Sequence, residues 1–177
     1  MPTLISGSTG VNKITDGTIV NADIASGAAI DSSKLSGVGK VLQVVHSQYT
    51  TAYYNANSSS RTDIPGFAAT ITPSSTSSKI LLTVHATIFL SCDGRLGIAR
   101  NGTQIFDNFL GTDRSGNVND IGGEAGTYLD SPSSTSAVVY QMYTIVSGCG
   151  NDVWINRDTS GTTHNGRSGI TLMEIAG

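Results

Sequence analysis

The stretch Lys79-Ile80-Leu81-Leu82-Thr83-Val84-His85-Ala86-Thr87-Ile88-Phe89-Leu90 decides the fold class. Its even positions, Ile80, Leu82, Val84, Ala86, Ile88 and Leu90, are all apolar, whereas the odd ones mix Lys, Leu, Thr, His and Phe. Successive Cβ atoms of a strand point to opposite faces, so apolarity with period 2 predicts a strand with one buried face. Leu81 and Phe89 make the other face partly apolar as well. Either a second sheet or another subunit is expected to cover it.

Downstream, Gly94 to Arg100 and Thr103 to Phe106 flank Asn101-Gly102, a pair that tolerates the positive φ values of a two-residue type I′ turn. A β-hairpin is predicted there. Further strands are predicted over 41–47, 67–72, 122–129, 136–146, 153–156 and 169–175, and no segment carries an amphipathic helical stripe with caps. Many short strands joined by turn-rich loops predict an all-β head over residues 40–177, a β-sandwich of jelly-roll type.

Residues 1–39 follow a different rule. Ile14, Ile19, Ile24, Ile30 and Leu35 recur every five or six residues, separated by Asp, Asn, Ser, Gly and Ala. One aliphatic side chain in five buries too little surface to offset an ordering entropy of roughly 1 to 2 kcal/mol per residue. Such an arm is either a flexible linker or shares its apolar residues with other copies. Three chains wound together, each giving one aliphatic side chain per layer, satisfy the second option.

Only 13 % of the 177 residues are charged, and the net charge is -3. An average soluble protein carries about 25 %. No cluster of Lys and Arg offers a footprint for phosphate, so nucleic acid is not an expected partner. The N-terminus lacks the basic and apolar regions of a signal peptide, and the 79–90 stretch is too short for a membrane helix. A soluble chain made in a cytoplasm, without membrane insertion, is expected. Cys92 and Cys149 are read as two reduced thiols or one disulfide, the former fitting a reducing compartment.

Motifs for chemistry are sparse. His46, His85 and His164 are far apart in sequence, without His-Glu-x-x-His or paired Cys-x-x-Cys spacing, so no metal centre or other cofactor is expected. No Gly-x-Ser-x-Gly elbow is present. Asp93, Asp107, Asp113, Asp120, Asp130, Asp152 and Asp158 offer combinations for a glycosidase pair, but Asp in a turn-rich chain is first a turn former. The segment 113–120 has oxygen donors for Ca²⁺ in an order that is not an EF-hand loop. No catalytic residue is expected. Exposed rings beside hydrogen-bonding groups suit sugars, which makes Tyr53, Tyr54 and Trp154 candidates for receptor contact, with packing at the sandwich edge as the structural alternative.

Ile14-Thr15-Asp16-Gly17-Thr18-Ile19-Val20-Asn21-Ala22-Asp23-Ile24 and Ala29-Ile30-Asp31-Ser32-Ser33-Lys34-Leu35-Ser36-Gly37 resemble the repeats of bacteriophage tail-fibre and virion-decoration proteins, particularly those of aquatic and cyanobacterial phages. Gly39-Lys40-Val41-Leu42-Gln43-Val44-Val45, Ile71 to Leu81 and Ile170-Thr171-Leu172-Met173-Glu174-Ile175 extend the resemblance over nearly the whole chain. It implies a homotrimer on the virion, with a β-sandwich head laid out like C1q and TNF-like jelly rolls. It also implies major capsid protein or tail proteins as partners and host surface glycan as a further ligand. Two locations follow. A capsid cement or decoration protein would brace a lattice junction. A tail-fibre or tailspike tip would contact the host. Thirty-nine residues reach at most about 130 Å, and no separate tail-docking domain is evident, which favours decoration. A glycan-degrading enzyme is the remote alternative.

Overall fold

The computed structural model describes residues 40–56, 59–90, 93–111, 121–147, 152–157 and 166–177. These form ten strands and no helix: β1 (Val41–Tyr49), β2 (Tyr53–Ala56), β3 (Thr62–Ile71), β4 (Lys79–Leu90), β5 (Asp93–Arg100), β6 (Thr103–Gly111), β7 (Ile121–Asp130), β8 (Val138–Ser147), β9 (Asp152–Ile155) and β10 (Ser168–Ile175). They make two antiparallel sheets packed as a β-sandwich. The predicted strands are all present, β4 with the expected ends and the others with shifted ends. The arm residues Ile14, Ile19, Ile24, Ile30 and Leu35 lie outside the described residues, as do Cys92, Cys149, His164 and the 113–120 segment.

The first sheet runs β1-β10-β4-β9-β2, with β7 on the other flank of β4. β10 pairs with β4 along Lys79 to His85 and β9 pairs with it along Ile88 to Leu90, so β9 and β10 lie end to end beside one long strand. β1 and β2 repeat this arrangement one position further out, against β10 and β9 respectively. The sheet is therefore four strand positions wide: β1/β2, β10/β9, β4 and β7. The second sheet runs β3-β8-β5-β6.

Asn156 stitches the break in the interrupted strands. Its N–H donates to the Thr87 carbonyl (3.0 Å), and its amide Nδ2 donates to the carbonyls of Tyr49 (3.0 Å) and Thr51 (3.2 Å). Its Oδ1 accepts from the Ser168 hydroxyl (2.9 Å), which itself accepts from the Thr87 N–H (3.1 Å). The residue has φ +57°, a left-handed conformation that Asn tolerates better than most side chains. A buried interruption thus leaves these backbone groups paired.

The alternation in β4 sets the core. Ile80, Leu82, Val84, Ala86 and Ile88 are buried on the inner face and meet Ile64, Phe67 and Ile71 of β3, Leu96 and Ile98 of β5, and Val138, Tyr140 and Met142 of β8. Tyr49 stacks on Phe67 with ring centres 4.8 Å apart. The Asn101-Gly102 turn joins β5 to β6 with Arg100 paired to Thr103, and its φ values of +46° and +82° have the sign a type I′ turn requires.

Two polar clusters close the sandwich. Asp130, buried, accepts from Arg100 Nη1 (2.9 Å) and from the Tyr140 hydroxyl (2.6 Å). Burial and that bond to a carboxylate raise the Tyr140 phenol above its ordinary value. Glu174, also buried, accepts from the Ser74 N–H (2.7 Å) and hydroxyl (2.6 Å), the Ser78 hydroxyl (2.7 Å) and Gln43 Nε2 (2.6 Å). It pins the 73–78 turn to β10 and β1.

Candidate functional site

The outward faces of the two sheets differ in chemistry. On the second sheet, Arg61 pairs with Asp63 (2.7 Å) and lies over the Tyr143 ring at 5.0 Å, while Arg95 stands 3.3 Å from Asp107. Tyr143 fills the space above Gly97, and burial followed by the nearby Asp107 charge pushes its phenol up to about 12. The charged side chains on the described part of this face are paired with one another, beside the exposed Val139 and a small cluster of Ala99, Tyr143 and Ile145.

The outward face of the first sheet is the opposite. The registers align Val44, Met173, Leu81 and Leu129 in one row across β1, β10, β4 and β7. The next row is His46, Thr171, Thr83 and Thr127, and the one after is Gln48, Gly169, His85 and Ala125. Three consecutive rows thus hold no Asp, Glu, Lys or Arg. Val44 is 57 % exposed and Leu129 51 %, and beyond them the exposed Val41 and Leu42 lie at the register irregularity at the start of β1. This apolar end lies where the chain enters the head at Lys40, whose carbonyl is held by the Ala176 N–H (2.9 Å). Large apolar side chains gathered beside uncharged rows have the composition of an interface core, from which charge is depleted.

At the far end of the same face, two of the three aromatic candidates come together. Tyr54 and Trp154 are cross-strand partners in β2 and β9, with ring centres 5.3 Å apart, and Trp154 meets Phe89 edge-on at 4.9 Å. Trp154 is only 7 % exposed and serves as packing under Tyr54, which is 47 % exposed. The Tyr54 hydroxyl donates to Asp152 Oδ1 (2.9 Å), a bond that raises its pKa, and the Arg157 guanidinium sits 5.8 Å from the ring centre. An exposed ring rimmed by a carboxylate and a guanidinium can stack on a sugar and hydrogen-bond its hydroxyls.

Tyr53, adjacent in sequence, does not join them. Alternation turns it inward, where it packs half-buried against the core with its hydroxyl 3.4 Å from Thr144 Oγ1. The period-2 rule that identified β4 separates Tyr53 from Tyr54 once β2 is known to be a strand; the turn-rich segment before it concealed that.

Among the described residues no group of three or more His, Cys, Asp and Glu side chains is placed to hold a metal ion. Asp107 lies beside Arg95, Asp130 accepts from Arg100 and Tyr140, and Asp152 accepts from Tyr54. No described helix is long and apolar enough to cross a membrane. No protein-family model matches the chain, and no curated protein is similar to it.

Proposed function

We propose that the chain is a surface protein of a bacteriophage virion, a homotrimeric capsid cement or decoration protein that braces the shell. The virion context rests on the resemblance of the arm and of three head segments. The observation that carries the association is the run of three uncharged rows on the outward face of the first sheet, with the row Val44, Met173, Leu81 and Leu129 at its apolar end. Burying such a row between copies removes apolar surface from water at about 25 cal/mol per Å² without stranding a charge. The paired ions on the other sheet would instead have to be desolvated.

The row also lies at the end where Lys40 starts the head. Packing three copies through it gathers three chain entries, and the arm residues Ile14, Ile19, Ile24, Ile30 and Leu35 can then be shared between copies. With β1/β2 and β9/β10 each counted as one interrupted strand, eight positions fall into two sheets. Their orders are first-eighth-third-sixth and second-seventh-fourth-fifth, which supports reading the sandwich as a jelly roll. In the cement reading the head sits over a lattice junction, and the arms reach the major capsid protein.

The receptor-binding reading, a tail-fibre or tailspike tip, draws on one observation: the exposed Tyr54 ring between Asp152 and Arg157, a surface suited to host glycan. Quantitative mass spectrometry of purified particles separates the two. Hundreds of copies per particle, in fixed ratio to the major capsid protein, are the result expected for decoration. A small multiple of three selects the tail, and absence from particles overturns both.

A further inference from the structure

Histidines that the sequence keeps far apart meet on the first sheet. His46 of β1 and His85 of β4 flank β10, and their imidazole planes are parallel to within 4° with ring centres 6.4 Å apart. Both rings lean over Gly169. A Cβ there would stand 2.8 Å from His85 Cε1 and 3.0 Å from His46 Cε1, so the absence of a side chain is what lets the two approach. The Nδ1 of His46 is 2.9 Å from Thr171 Oγ1. With the proton on Nδ1, His46 donates to Thr171 and keeps a lone pair on Nε2. A second hydrogen-bonding partner of this kind fixes the ring orientation of metal-bound histidine.

We infer that His46 and His85 form a two-imidazole site for a divalent transition cation of the zinc class. A cation about 2.0 to 2.1 Å from each of two imidazole nitrogens in tetrahedral geometry sets the ring centres about 5 Å apart, so the two rings close by about 1 Å from their 6.4 Å separation. Both side chains are exposed, and the soft χ2 torsion of an imidazole lets the nitrogens turn toward a shared ion. Imidazole suits Zn²⁺, Cu²⁺ and Ni²⁺, whereas Mg²⁺ and Ca²⁺ prefer oxygen. The rows holding the pair carry no Lys or Arg to repel a cation. One chain supplies two of the ligands and water supplies the rest. A bound cation ties β1 to β4 across β10 and raises the melting temperature by mass action.

The test is a ZnCl2 titration of the full chain in a non-chelating buffer near pH 7.5, read by calorimetry and by the imidazole ¹⁵N resonances. Thermal melts confirm that each variant is folded. The expected result is one zinc per chain, with the His46 and His85 resonances moving together. His46→Gln and His85→Gln should each weaken binding at least tenfold, and Thr171→Val should keep the stoichiometry while weakening it about tenfold. Resonances of His46 and His85 that stay put up to millimolar zinc overturn the inference. So does binding that survives both histidine substitutions, including binding confined to His164. The pair would then be rings that merely cover Gly169.

Discussion

Four donors hold the buried carboxylate of Glu174: the Ser74 N–H and hydroxyl, the Ser78 hydroxyl and Gln43 Nε2. Burial alone would raise its pKa, but the hydrogen bonds prevail and lower it to about 2 from an ordinary 4.5. The folded chain therefore holds this proton off over a range where the unfolded chain accepts it. The stabilisation is complete above pH 4.5 and is lost as pH falls toward 2. Glu174→Gln should cost roughly 2 kcal/mol at pH 7, and urea unfolding should show the gap to the unsubstituted protein closing between pH 5 and pH 2. Gly97 makes a second residue-scale case. A Cβ at this position would overlap the Tyr143 ring, which is buried and bonded through its hydroxyl to the Phe106 carbonyl (3.1 Å). Gly97→Ala should destabilise by about 1 to 3 kcal/mol. In a Tyr143→Ala background the same change should cost far less, a coupling that a double-mutant cycle measures.

Among the strands, the interrupted pair β1/β2 and β10/β9 depends on Asn156. Asn156→Ala removes two bonds to backbone carbonyls and one from Ser168, and it leaves alanine at φ +57°. The expected loss is about 3 kcal/mol, seen as a fall of about 6 to 12 °C in melting temperature for a chain of this size. β4 was legible in the sequence because its inner positions are uniformly apolar, and the β5–β6 hairpin because Asn101-Gly102 satisfies a specific backbone demand. The first half of β3 was not. Pro65-Gly66 reads as a breaker, yet it lies within the strand at a register irregularity between Asp63 and Ala68, with Gly66 at φ +80°. β2 was hidden for a related reason: four residues in a turn-rich segment carry too little alternation to register. Of the aromatic candidates, Tyr54 and Trp154 converge because β2 and β9 pair, a long-range contact that no local pattern encodes. The same holds for His46 and His85.

At the scale of the molecule, the contrast between the two outward faces decides how copies would meet. Ion pairs Arg61–Asp63 and Arg95–Asp107 sit on the second sheet, while three uncharged rows and an apolar end occupy the first. Leu81 and Phe89 pointed to a covered face from sequence alone. The registers extend Leu81 into a row with Val44, Met173 and Leu129, and they place Phe89 beside Trp154. The most direct test is sedimentation equilibrium of the full chain and of the Val44→Glu, Leu129→Glu double variant, whose substitutions fall on exposed positions and should leave the sandwich folded. The expected result is a species of three times 18.3 kDa for the unsubstituted chain and a concentration-dependent shift to single chains for the variant. A single 18.3 kDa species for the unsubstituted chain, or a trimer indifferent to both glutamates, would contradict it.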